Sequence, residues 1–118
     1  MDARCHCGAV RFKTPLPAPL ATYVCHCDTC KALTSSAFAM SAIFPKFEPP
    51  ASELLSCYST DAKNVVSVRG GCVSGIDWSK AVHIWTKSAM VPIPESSESY
   101  SERSSDSSGQ GPAQDALD

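Results

Sequence analysis

The side chains with most chemistry to offer are the cysteines. All seven (Cys5, Cys7, Cys25, Cys27, Cys30, Cys57 and Cys72) fall within the first 72 positions of a 118-residue chain. Five of them form two tight clusters, Cys5-His6-Cys7-Gly8 and Cys25-His26-Cys27-Asp28-Thr29-Cys30. In extended backbone successive side chains point to opposite faces, so Cys5 and Cys7 share one face, Cys25 and Cys27 another, and His6 and His26 point away. Cys30 follows after two intervening residues as the chain folds back, and adds a third sulfur. Zinc suits such a set, because it takes thiolates at about 2.3 Å in a tetrahedron. Structural zinc sites are closed by four protein ligands, whereas catalytic ones hold three and keep the fourth place for water or substrate. A Cys25/Cys27/Cys30 site has that vacancy, and an open zinc can deprotonate a bound thiol or polarise the carbonyl of an aldehyde.

The same residues admit other readings. One four-cysteine structural site with a spare thiol uses them equally well. A redox pair at Cys27 and Cys30 is a third, although the βαβ pattern that accompanies thioredoxin-like motifs is missing. By alternation His6 and His26 face solvent or support their neighbours rather than bind metal themselves. Cys57 and Cys72 stand singly, as small buried hydrophobes do. His83 and Trp85 either line a pocket or form a packed strand face.

The elements that must position these groups read as short strands. Residues 9–13 alternate with Val10 and Phe12 on one face, Pro15, Pro17 and Pro19 then enforce an extended linker, and residues 20–24 resume a strand into the second cysteine cluster. Residues 28–36 are polar and turn-like. Residues 37–47 are apolar and aromatic, with Pro45 at an edge or strand end. Residues 52–58 suit one strand or a helical turn, 64–69 a β-branched strand ended by Gly70 and Gly71, and 82–86 a strand with His83 and Trp85 on one face. Nine prolines and six glycines at these positions leave no room for a long amphipathic helix. The fold class expected is mainly β.

Composition divides the chain in two. Residues 96–118 hold eight serines and five acids against the single Arg103, which reads as a disordered, Ser-rich acidic tail. Residues 1–95 form one domain with nine Lys or Arg against seven Asp or Glu, a net charge of +2 with no basic run. That balance argues against nucleic acid as a partner. No apolar run approaches the roughly 20 residues that cross a bilayer, so no membrane partner is expected. The first eight residues lack the apolar stretch of a secretory signal, which points to the cytoplasm or nucleus. In such a reducing compartment clustered cysteines more often mean metal or catalysis than disulfides. The sequence sets no oligomeric state.

Four segments together resemble one known family. Cys5-His6-Cys7-Gly8-Ala9-Val10-Arg11-Phe12, Cys25-His26-Cys27-Asp28-Thr29-Cys30-Lys31, Ser36-Ala37-Phe38 and His83-Ile84-Trp85-Thr86 are similar to the glutathione-dependent formaldehyde-activating enzyme family, also called the centromere protein V/GFA domain. The resemblance spans nearly all of residues 1–100. It implies a small zinc-binding β fold of the Mss4-like type, a catalytic zinc on Cys25, Cys27 and Cys30, and half of a structural zinc site on Cys5 and Cys7. The reaction implied is that of a carbon–sulfur lyase, the reversible joining of the glutathione thiol to formaldehyde as S-hydroxymethylglutathione. The alternative is a non-catalytic or degenerate zinc module serving in protein interaction.

The sequence departs from the family pattern in one place. The family carries a second pair, Phe-Cys-x-x-Cys-Gly, between the strands matching residues 54–58 and 64–69. Only residues 59–63 lie between them here, and no Cys-x-x-Cys occurs there or downstream. An internal deletion near residues 59–63, on the order of 20 residues for two strands and their turns, would leave the fold incomplete. Cys5 and Cys7 alone cannot close a four-ligand site, so at most one tightly bound zinc per chain is expected.

Overall fold

The computed structural model describes residues 1–48, 57–59 and 64–103. Seven strands and one helix follow in the order β1 (Asp2–Arg4), β2 (Arg11–Lys13), β3 (Ala21–Cys25), α1 (Asp28–Thr34), β4 (Ala39–Pro45), β5 (Cys57–Ser59), β6 (Val65–Arg69) and β7 (Val82–Ile84), with three single 3-10 turns after β6. The architecture is mainly β, as the sequence suggests. No helix among the described residues is long and apolar enough to cross a membrane.

β1 and β2 make a two-stranded antiparallel ribbon, and the other five strands form one sheet in the order β5-β6-β4-β3-β7. Its pairs are antiparallel except for β3 with β7, where Tyr23, Val24 and Cys25 lie opposite Val82, His83 and Ile84. Strand alternation gives this sheet two apolar faces. On one, Tyr23, Cys25, Ala39, Ile43, Val65 and Ile84 are buried together with Cys27 and Cys30. On the other, Ala42, Phe44, Val66 and Val68 pack against Ala3 of the ribbon and Val73. The metal-ligand candidates of the second cluster therefore sit in the core of one face, where packing holds them.

Three elements differ from the expectation. The turn-like stretch 28–36 contains helix α1. Its N-cap is Cys27, whose sulfur accepts from the Cys30 N–H at 3.2 Å, and its C-cap is Ser35 in the left-handed region. Asp28 in the first turn and its 3.0 Å ion pair with Lys31 add support. Strand β1 was not foreseen; three residues are enough because Ala3 is drawn into the core between Phe12 of β2 and Val73. The strand expected over 82–86 stops at Ile84, since Trp85 takes a left-handed conformation (φ 59°) and starts a 3-10 turn.

The compositional boundary at residue 96 is not where the hydrogen bonding ends. His83 N–H donates to Glu98, Tyr100 N–H to His83, and Trp85 N–H to Glu102, at 2.8 to 2.9 Å. The stretch through Glu102 is thereby laid beside β7. The remainder of the Ser-rich tail, residues 104–118, all but the first residue of the suspected deletion site at 59–63 and most of the expected strand over 52–58 lie outside the described residues.

Candidate metal centre

The chain enters the second cysteine cluster from β3, which ends at Cys25. His26 N–H donates to the Ile84 carbonyl at 3.0 Å, so β7 holds the cluster in line with the sheet. Cys27 then turns the backbone into α1, and one turn of helix returns Cys30 towards it. The three sulfurs lie within 4.8 Å of one another, and all three residues are buried. Thr34 donates to the Cys30 carbonyl at 2.9 Å, and Lys31 reaches out of the helix to the Ser88 carbonyl at 2.7 Å. Helix and 3-10 turn are thus tied together around the cluster.

The electrostatics of the trio call for a cation. The hydrogen bond with Cys30, then burial, pushes the Cys25 thiol far above its ordinary range, and burial first pushes up Cys27. Both shifts favour the protonated thiol at Cys25 and Cys27 when no counter-charge is near. A soft divalent ion reverses this, because a coordinated thiol gives up its proton. The donor set therefore fits a metal ion, with three sulfurs as ligands.

His26 is not solvent-facing. It is completely buried, packed against Phe38, and stacked on His83 with their Nε2 and Nδ1 atoms 3.0 Å apart. Alternation correctly turns it away from the sulfurs, but β7 and Phe38 cover the side to which it turns. Burial lowers both imidazoles below the ordinary histidine range, with the neighbouring ring adding to the effect at His26. His26 Nδ1 has no partner among the described residues. A buried bare acceptor costs less than a buried orphan N–H, which favours the tautomer in which His26 Nε2 donates to His83 Nδ1.

The first cluster is built differently. Cys5 and Cys7 lie in a turn between β1 and β2, not in extended strand, and Gly8 at φ 80° closes it. Gly8 N–H donates to the Cys5 carbonyl at 3.1 Å, and Val10 N–H donates to the Cys5 sulfur at 3.3 Å. That last bond is the main reason the Cys5 thiol is lowered. The two sulfurs are 3.7 Å apart, close to the roughly 3.8 Å that tetrahedral ligands at 2.3 Å from one zinc would show. Among the described residues no third ligand atom joins them, Cys72 included. His6 is exposed, and the Cys57 side chain lies outside the described residues.

A cavity of about 410 Å³ opens beside the trio, lined by Cys27, Asp28, Trp85, Lys87, Ser88 and Arg103 among others. Trp85 packs on the buried cluster that contains the three cysteines, so it joins the cysteine core to the cavity wall. Its left-handed backbone is a conformation that bulky residues rarely adopt, and such conformations gather at functional sites. Lys87 and Arg103 were not singled out from the sequence. The available signals were slight: Lys87 follows Trp85 by two positions, and Arg103 is the one base in an acidic stretch.

Residues 1–53 match the model of the glutathione-dependent formaldehyde-activating enzyme family. Through this segment, somewhat less than half of its length, the chain is similar to that family. The match takes in β1 to β4 and all five clustered cysteines, and it ends before β5. The His83-to-Thr86 segment, which the wider resemblance also drew on, lies beyond it. No curated protein matches the chain at a significant level.

Proposed function

We propose that this chain is a zinc-dependent carbon–sulfur lyase that joins a small thiol of the glutathione type to formaldehyde. The observation that carries the reading is the convergence of three buried sulfurs on one point, with one of them, Cys27, also forming the wall of a substrate-sized cavity. The similarity of residues 1–53 to the family suggests the reaction class.

The reaction balances without an oxidant or reductant. The thiol loses its proton, its sulfur forms a bond to the carbonyl carbon, the carbonyl π bond opens, and the oxygen takes up a proton to give the hydroxymethyl thioether. Cys25, Cys27 and Cys30 would hold the zinc, and bound zinc lowers the pKa of a thiol and keeps its sulfur beside an electrophile. The chain's other contributions are positional. Cys25 is fixed by β3, Cys27 and Cys30 by the cap and first turn of α1, and the Lys31 tether holds that helix against the turn that carries Lys87 and Ser88. Trp85 lines the cavity and packs on the cluster that holds the three cysteines.

The test is exchange spectroscopy on zinc-loaded protein. Proton NMR line broadening between free glutathione and its formaldehyde adduct should increase in proportion to protein, and the increase should vanish on removing zinc or in Cys27→Ser. Stoichiometric zinc with no acceleration would overturn the enzymatic reading in favour of a zinc module that serves in protein interaction.

A further inference from the structure

The cavity has a charge pattern that the metal chemistry does not use. Five charged side chains stand on or around it. Asp28 is paired with Lys31 at 3.0 Å, and Glu102 with Lys87 at 3.0 Å. Arg103, which lines the cavity, has no ion pair among the described residues. Three bases against two acids leave one cation over, and that cation is a guanidinium, the group best shaped to grip a carboxylate through two parallel hydrogen bonds. The Lys87–Glu102 pair is half exposed on both sides, so releasing Lys87 to a ligand costs little. Lys87 also lies 5.2 Å from the Trp85 ring centroid, which keeps its head at the cavity mouth.

The backbone explains how a residue beyond the family-matched segment reaches the site. The bond from Trp85 N–H to the Glu102 carbonyl, 2.8 Å long, fixes the residue before Arg103 against the end of β7. The stretch after residue 96 thus acts as a clasp that brings a base to the cavity that Cys27 lines.

Resting on the thiol chemistry proposed above, we infer that Arg103, assisted by Lys87, is a specificity-determining site for a carboxylate on the thiol substrate. The ligand class is a small peptide-like thiol whose sulfur goes to the metal end of the cavity and whose carboxylate goes to the clasp. A volume of 410 Å³ lies within the ordinary range of roughly 300 to 1,000 Å³ for small-ligand sites. Uncharged thiols of the same reactivity would gain nothing from Arg103.

The experiment compares three probes on the zinc-loaded full chain by NMR titration: glutathione, S-methylglutathione and 2-mercaptoethanol. Arg103→Gln should weaken glutathione and S-methylglutathione by about tenfold, the share of one charge-assisted hydrogen bond, and leave 2-mercaptoethanol within twofold. Arg103→Lys should recover part of the loss, and Lys87→Gln should cost about threefold. If 2-mercaptoethanol binds and Arg103→Gln holds glutathione as tightly as the parent, the carboxylate site is overturned while the thiol site stands. If S-methylglutathione binding depends on Arg103 but 2-mercaptoethanol does not bind, the carboxylate site is supported and the thiol reading falls. Equal loss of all three probes in Arg103→Gln, with Arg103→Lys no better, would reduce Arg103 to a structural role and overturn the inference.

Discussion

The two cysteine regions of this molecule use the same residue type in different local structures. Cys25, Cys27 and Cys30 are buried in the face of a five-stranded sheet, positioned by a strand end and a helix cap, and burial and crowding favour the protonated thiol at Cys25 and Cys27. Cys5 and Cys7 sit in the turn between β1 and β2, Cys5 buried and Cys7 exposed, with backbone N–H groups directed at the Cys5 sulfur that favour its thiolate. The first arrangement brings three ligand atoms together and could hold a metal ion. The second is shaped for a metal at 3.7 Å sulfur spacing but offers two ligands where a closed site needs four. Spacing alone makes the regions look alike; the elements around them decide which one is a centre.

The sharpest way to break this contrast is to remove a sulfur from the buried trio. Cys27→Ser should lose the single tightly bound zinc altogether, measured by elemental analysis of reduced protein. Metal binding in small zinc domains carries about 10 to 16 kcal/mol, so loss of this site should also lower the melting temperature steeply. A parent stoichiometry of two would abolish the contrast and point to Cys57 and Cys72 as further ligands of the surface pair.

The histidine pair accompanies only the buried centre, and it gives a pH signature. Both imidazoles are lowered in the folded state, chiefly by burial, so the unfolded chain binds more protons below about pH 6.5. Their contribution to stability is therefore fully present above that pH and is lost as pH falls through the folded-state values. Each histidine adds a slope of up to about 1.4 kcal/mol per pH unit in this window. His83→Gln should remove one proton's worth of slope in denaturant unfolding between pH 5 and 7. An unchanged slope would mean that the rings titrate as they do in water.

Much of this was written in the sequence, and the omissions have physical causes. The Val-rich alternation of β6, the prolines before β3 and the terminal place of Pro45 in β4 are local signals, and they survive into the structure. Helix α1 was hidden because its cap is a cysteine rather than the usual Ser, Thr, Asp or Asn, and its seven residues carry no apolar stripe. The convergence of Cys25, Cys27 and Cys30 was legible from their spacing. The burial of His26 was not, since it depends on Phe38 and on a partner 57 positions away. Arg103 was least legible of all. It sits amid composition that reads as tail and gains a role only through hydrogen bonds to β7, which no local pattern encodes.

Smaller effects separate the turn's own stability from metal binding. Gly8→Ala places a Cβ at φ 80°, 2.8 Å from the Arg11 guanidinium, and should cost about 1 to 2 kcal/mol in unfolding experiments without changing zinc content. Cys7→Ser should do less still. Its side chain is exposed and its sulfur contacts only Cys5 among the described residues, so stability should shift by less than about 0.5 kcal/mol. Zinc content should remain at one per chain. If Cys7→Ser instead removed metal or destabilised the protein as severely as Cys27→Ser, the surface turn would have to be part of a closed site, and the ligands completing it would lie among residues now outside the described structure or on a second copy of the chain.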